Sequence, residues 1–371
     1  MSKPALSKPV ARSTTTLIAH QHLWPRNRKL PGLAHGWQGS AWVAFKLAGA
    51  GVPVTDRVFD SIGRHLAVEL GRAPPTAYVG ASIGCAAEAV IAAYAASQGI
   101  ASRASARAAC KRVISACRNN PPWDVQLGLG GALLAFAEIA AVEPRALAEF
   151  RPARMVGQLL ARVDTLCTSP TLGWPTGMAH GLAGILMAAE SCGRLGWCRI
   201  TTKRRQRWLD ALGRCALAAT DEALVWPMVA GQQDLGLQSW CAGTPGVALA
   251  LLECFHLTRQ PAYLAAARGA LEGMKLLASR VFFAKTLCCG NAGYRHIFLE
   301  AYRITSEPAW VEHASRAARF ANAAQPRPRL GLHQGELGIS YLLERIANPL
   351  IYPFPGLGVS SVGSSAGERQ G

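Results

Sequence analysis

Five side chains in this sequence have types and positions that could do chemistry together: Cys241, Cys288, Cys289, His180 and Asp124. Each precedes a Gly-x-x-Gly pair by a short offset. Cys241 and Cys288 stand two residues before Gly243 and Gly290, Cys289 and His180 one before Gly290 and Gly181, and Asp124 four before Gly128. If those glycines mark equivalent points of a repeating fold, the five side chains converge. Three thiols at one point are soft donors suited to Zn²⁺, and three protein ligands leave the fourth tetrahedral position open, as in catalytic zinc sites. Two other readings stay open at this point: a closed site completed by another cysteine, and thiols that only pack. Cys85, Cys110, Cys117, Cys167, Cys192, Cys198, Cys215 and Cys254 read as small buried hydrophobes. His180, with an ordinary pKa near neutrality, suits proton transfer, against the alternative of a hydrogen-bonded packing residue.

The elements that would hold these residues follow from the glycine pattern. Copies of Gly-x-x-Gly followed by a small apolar run start at Gly36, Gly128, Gly181, Gly243, Gly290 and Gly335, with a degenerate copy running from Ala81 to Gly84. Successive starts lie 45, 47, 53, 62, 47 and 45 residues apart, enough for two helices each. The first helix of each step is apolar nearly all round (40–46, 129–141, 182–195, 247–257, 292–304). The second is amphipathic (54–70, 145–166, 203–219, 262–277, 310–323). Helices apolar on all sides must be enclosed by protein, so the expected fold is all-α: a closed α/α toroid of about seven helical hairpins, in an inner and an outer ring. Pro349, Pro353 and Pro355 deny the last repeat an outer helix, which residues 13–25 could supply. The expected organisation is a basic segment over 1–30, the toroid over 31–349 and a Pro/Gly/Ser-rich disordered tail over 350–371.

Composition sets bounds. Half of the 371 residues are hydrophobic and 16% charged, which excludes a disordered or fibrous chain. The net charge of +17 favours acidic partners, but seven lysines and arginines fall in residues 1–55, which hold no acid. The dense patch Lys203, Arg204, Arg205 and Arg207 lacks interleaved aromatics and reads as a solvated helix face, so no nucleic acid is expected. Eleven cysteines and a first twenty residues without an apolar core point to reduced thiols in the cytoplasm. The uncharged stretch 169–189 is broken by Pro170, Pro175 and His180, so no transmembrane helix is expected, and peripheral membrane association only through partners.

The motifs resemble those of the lanthionine synthetase C-like proteins, the cyclases that form thioether rings in lanthipeptides. Gly173-Trp174-x-x-Gly177-x-Ala179-His180-Gly181-x-x-Gly184, Trp240-Cys241-x-Gly243-x-Pro245-Gly246, Leu287-Cys288-Cys289-Gly290-x-Ala292-Gly293 and Asp124-x-x-x-Gly128-x-x-Gly131 resemble the family's core motifs, across residues 31–349. The resemblance implies Zn²⁺ held by Cys241, Cys288 and the residue after it, with His180 and Asp124 in proton transfer. It departs at that third ligand, where the family commonly has Cys-His-Gly and this chain has Cys288-Cys289-Gly290. Leu237 and Ala242 stand where the family often has an arginine and an aromatic.

The reaction so implied is a zinc-dependent, Michael-type addition of peptide cysteine thiols to dehydroalanine or dehydrobutyrine, in which the thiolate attacks and a rim acid, His180, protonates the enolate. Asp124 either takes up the thiol proton or orients the imidazole. The implied partners are a dehydrated precursor peptide and a separate dehydratase, since seven repeats use up the toroid. The rivals are a zinc thiol transferase that adds glutathione to dehydrated proteins, an inert peptide-binding module, and a carbohydrate-active barrel, which needs paired carboxylates where Asp124 has only Glu336 for company. His35 and His333 share the rim register and read mainly as packing. The segment 221–239 reads as a lid over the metal.

Overall fold

The computed structural model describes residues 32–72, 78–169, 172–278, 285–316 and 331–356, together with Ile18. The proposed outer helix over 13–25 and the tail beyond Gly356 otherwise lie outside the described residues, as does most of the basic segment.

The glycine frame is realised as an α/α toroid. The inner helices are α1 (Trp37–Gly49), α3 (Ala86–Ser97), α5 (Leu129–Val142), α7 (Leu182–Arg194), α9 (Thr244–Thr258), α11 (Asn291–Thr305) and α13 (Glu336–Ala347). Between them come the outer helices α2 (Asp56–Leu70), α4 (Arg103–Ala116), α6 (Ala153–Thr168), α8 (Thr202–Arg214), α10 (Pro261–Leu277) and α12 (Ala309–Arg316). Each inner helix from α1 to α11 packs on the next inner helix, and α3, α5, α7, α9 and α11 each pack on the outer helix that follows. The ring closes between α13 and α1, where the Trp42 and Tyr341 rings meet edge to face at 5.7 Å and His333 N donates to Ala34 O at 3.3 Å.

The two rings differ as the apolar patterning requires. Every residue of α5 from Leu129 to Ile139 is buried, whereas α2 buries only Val58, Ser61, Ile62 and Leu66. The second glycine of each pair is forced by a close approach. A Cβ at Gly131, Gly184 or Gly338 would lie 2.0, 1.9 or 2.2 Å from the carbonyl oxygen of Val125, Met178 or Leu332, six residues earlier. The inner helix thus starts tight against the loop that leads into it.

Four expectations are adjusted. The second repeat is out of register: α3 starts after Cys85, so Cys85 and Glu88 occupy the places of the glycine pair, and Gly84 instead turns the chain with φ +146°. The helix expected over 145–166 splits at Pro152, which caps α6 and cannot donate to a continuing helix. Helix α8 stops at Arg214, because Leu217–Ala218 (β1) pairs antiparallel with Leu224–Val225 (β2). At the other end, residues 350–356 are not all loose tail: Tyr352 and Phe354 are buried against the toroid. No described helix is long and apolar enough to cross a membrane.

Candidate functional site

The loops entering the inner helices form one rim, and their backbones are stitched together around it. Ile83 N donates to Gln126 O, Gln126 N to Ala179 O, and Ala179 N to Cys241 O, at 2.9, 3.0 and 3.2 Å. On the other side Cys288 N donates to His333 O at 2.8 Å, His333 N to Ala34 O, and Ala34 N to Ser82 O. The residues so linked stand at or next to the same offset before their helices. Among the described residues no such bond joins Cys241 to Cys288, and it is there that the sulfurs meet.

Cys289 Sγ lies 3.4 Å from Cys288 Sγ and 3.9 Å from Cys241 Sγ, and all three sulfurs fall within 4.8 Å of one another. Ligands at ~2.3 Å in tetrahedral geometry sit roughly 3.8 Å apart, so the triad fits the donor spacing of a thiolate zinc centre. No fourth histidine, cysteine or carboxylate among the described residues joins the group, which disfavours a closed four-cysteine site. The other eight cysteines are free and lie outside it. Burial pushes thiols such as Cys110 and Cys117 up to about 12. Cys241 goes the other way: hydrogen bonds from Cys288 and Cys289, then from Ser239, pull it down to about 3 against the effect of burial. Those same bonds hold the Cys288 and Cys289 thiols up. Of the three sulfurs, Cys241 is the one whose anionic form its neighbours favour. The N-termini of α9 and α11 adjoin it with their positive dipole ends.

His180 and Asp124 also come together. His180 Nδ1 and Asp124 Oδ2 are 2.9 Å apart, while Asp124 Oδ1 accepts from Leu127 N at 2.7 Å. Both carboxylate oxygens are thus engaged. The hydrogen bond that His180 donates to Asp124 raises the His180 pKa, burial opposes it, and the Asp124 and Cys241 charges raise it further. The loops are held without side-chain caps: Leu129, Gly130 and Gly131 donate their N–H groups to Pro122, Trp123 and Asp124, and Leu182 and Ala183 to Pro175 and Thr176.

Ser239 is an addition to the residues read from sequence. It is fully buried, with Oγ 3.1 Å from Cys241 Sγ, and exchanges backbone hydrogen bonds with Ala242 at 2.9 and 3.2 Å. A hydroxyl two residues before a candidate ligand was the available signal. The segment over 221–239 is pinned where a lid was expected. Thr176 Oγ1 donates to Pro227 O at 2.5 Å, Ala230 N to Trp174 O at 2.9 Å, and Gln238 Nε2 to both Trp226 O and Leu235 O. Of the two remaining rim histidines, His35 is half-buried and His333 is buried, its ring edge-on to Trp240 at 4.7 Å.

Comparison with known proteins bears on the region just described. Residues 174–357, which carry His180 and the three cysteines, match the family model "Lanthionine synthetase C-like protein". Among solved structures, a nisin cyclase superposes with a TM-score of 0.69 over 96% of this chain and 98% of its own, at 14% identity, a likeness of fold. No curated protein matches the chain. Residues 174–357 thus carry a match to the lanthionine synthetase C-like family, within a chain whose whole fold is like that of nisin cyclase.

Proposed function

We propose that this protein is a lanthionine-forming cyclase, in which Cys241, Cys288 and Cys289 hold Zn²⁺ and His180 and Asp124 handle the proton. The observation that carries the reading is the convergence of three sulfurs from two distant segments, within 4.8 Å, on the same rim as a His–Asp pair. When bound, zinc supplies a positive centre that lowers the pKa of a fourth, incoming thiol from ~8.5 and fixes its position.

The chain's own groups do the rest. The substrate sulfur forms a bond to the β-carbon of a dehydroalanine or dehydrobutyrine, and the alkene pair moves into an enolate. His180 then donates a proton from Nε2 to the α-carbon, its Nδ1 being tied to Asp124. With one oxygen on His180 and the other on Leu127 N–H, Asp124 fixes the imidazole's orientation and favours its charged form. The helix N-termini at the rim favour the anionic sulfur and enolate. The net change adds S–H across C=C.

The substrate peptide has to arrive already dehydrated, so a dehydrating enzyme acts before this one. Eleven unpaired cysteines suit a reducing, cytoplasmic setting. The toroid over 31–349 is the catalytic unit. Incubating the zinc-loaded protein with a dehydrated, cysteine-bearing peptide, with and without chelator, tests the reading. Loss of alkylatable thiol at constant peptide mass is expected, and retention of full alkylation by the zinc-loaded protein sinks it. A mass gain equal to added glutathione would favour intermolecular thiol transfer instead.

A further inference from the structure

Beside the rim lies a narrow cleft, partly open to solvent, with a cavity volume of about 20 Å³. Its lining includes Val125, Met178, Trp240, His333, Phe354 and Gly356. It adjoins the site at every turn: Val125 follows Asp124, Met178 stands two before His180, Trp240 precedes Cys241, and the His333 carbonyl accepts from Cys288 N. The walls are largely apolar, broken by Ser82, Glu253 and two buried ring nitrogens without a partner among the described residues, Trp240 Nε1 and His333 Nε2. His333 is only 1% exposed. Its Nε2 faces Gly356, where an added Cβ would lie 3.4 Å away and where φ is +116°. A buried polar atom left unpaired destabilises the fold, a cost removed when a ligand atom enters the cleft and bonds it.

We propose that His333 is a substrate-contacting residue whose Nε2–H donates a hydrogen bond to the carbonyl oxygen of the dehydro amino acid under attack; this rests on the cyclase reading and assigns that site a second contact besides His180. As sulfur bonds to the β-carbon, the alkene pair shifts toward the α-carbon and the carbonyl pair onto oxygen, so charge grows on the atom that His333 holds. No proton leaves His333. The α-carbon is protonated by His180, the carbonyl re-forms, and the charge on oxygen disappears. A neutral imidazole held in an apolar wall acts here as a preorganised donor, stronger in the transition state than in the ground state.

Two variants and one ligand test this. His333→Phe keeps the ring volume without a donor, and His333→Gln keeps a donor. With dehydrated peptide at saturation, His333→Phe should lower kcat by about 10²-fold with KM little changed, zinc stoichiometry intact, and at least tenfold recovery in His333→Gln. Independently of turnover, N-acetyl-dehydroalanine methylamide added to protein with ¹⁵N-labelled histidine should shift the His333 Nε2 resonance, identified by its absence from the His333→Phe spectrum. Unchanged kcat in His333→Phe, or equal losses in both variants with no shift on adding the amide, overturns the proposal. If the wild-type protein forms no ring at all, the cyclase reading fails, while the amide-induced shift still reports whether His333 binds the acceptor.

Discussion

Two rings of polar side chains circle this toroid, and they use their polarity in opposite ways. The upper ring is the rim, with Cys241, Cys288, Cys289, His180 and Asp124. The lower ring lies eight or nine residues past the first residue of each inner helix: Lys46, Tyr94, Glu138, Glu190, Glu253, Glu300 and Glu344. In the lower ring, polar capacity is spent on the protein itself. Glu138 accepts from Trp42 at 3.0 Å and Tyr94 at 2.7 Å and pairs with Lys46 at 3.1 Å. Arg205 grips Glu190 at 2.7 and 2.9 Å while Tyr263 donates at 2.7 Å, and Glu300 lies between Arg303 and Arg345. In the upper ring the sulfurs face one another. One repeat therefore supplies both a belt whose charges are internally neutralised and a mouth whose ligand atoms are aimed at something else. Substitutions in the mouth should cost activity, and those in the belt should cost folding.

The largest separation comes from removing the metal or a ligand. Cys241→Ala should abolish stoichiometric zinc binding and lower cyclisation by on the order of 10³-fold, the rate equivalent of several kcal/mol of charge stabilisation. Urea unfolding should change little. A global loss of stability would show that the rim is also a structural clamp, and would blur the contrast between the rings.

The belt should answer in reverse. Glu300→Gln leaves two buried arginines without their shared carboxylate, and breaking such a pair costs about 3–5 kcal/mol. Zinc content per folded molecule should be unaffected. Burial alone would raise the Glu300 pKa, but Arg303 and Arg345 bring it down to about 2. A depressed carboxylate adds stability above its unfolded pKa of ~4.3, and that stability is lost as pH falls toward the folded value. Wild-type stability should accordingly drop between about pH 4.5 and 2, and Glu300→Gln should flatten that limb, as followed by urea unfolding at each pH.

The two rings were unequally legible in the sequence. The rim could be read because each second glycine is demanded by a backbone contact six residues back, which fixes a register that thiols and imidazole then share. That register fails in the second repeat, where Cys85 and Glu88 stand in for glycine and Gly84 offers a false copy. The belt could not be read, because one acid in an apolar helix looks like noise until its partner is known, and Glu190 finds Tyr263 seventy-three residues away. Hydrogen bonds from Thr176 to Pro227 and from Ala230 to Trp174 make a fixed wall of a segment whose length and composition suggested a lid. Proline and glycine content suggested a tail from residue 350, yet the Tyr341 hydroxyl donates to Pro353 O at 3.2 Å and Arg345 Nε to Tyr352 O at 3.1 Å.

Within the mouth, the proton-handling pair should show a smaller and pH-dependent effect. The Asp124 bond raises the His180 pKa above its ordinary ~6.5, so under the proposed mechanism the acid form that would protonate the enolate persists to higher pH. Cyclisation limited by that step should fall as pH rises through the raised value. Asp124→Asn removes both the charge and the strong acceptor, so the falling limb should move to lower pH and the rate at pH 8 should drop by about 10²-fold. An unmoved limb would take His180 out of the proton step. The stability linkage has the same sign: a raised imidazole pKa contributes below ~6.5 and is lost as pH rises through the folded value.

The smallest effect expected in the mouth concerns the one donor that departs from the family's usual Cys-His pair. Three thiolates bring a charge of −3 to a divalent ion, against −2 for two thiolates and a neutral imidazole. A zinc centre on these three donors would thus be one unit more negative before any substrate sulfur arrives. More negative charge leaves more electron density on the attacking sulfur and less affinity for it, and makes the donor set easier to oxidise. Cys289→His should therefore keep zinc stoichiometry, slow single-turnover ring formation by a few-fold, and resist peroxide better than the wild type. The substitution changes one donor atom on a loop whose backbone is held next door, through Cys288 N–H on His333 O, so a rate change at constant metal content reports on the donor's charge. A faster rate would mean that relief of charge on the incoming thiolate outweighs the gain in its nucleophilicity, and the advantage of the third sulfur would then have to lie in metal retention, measurable as a slower loss of zinc to chelator in the wild type.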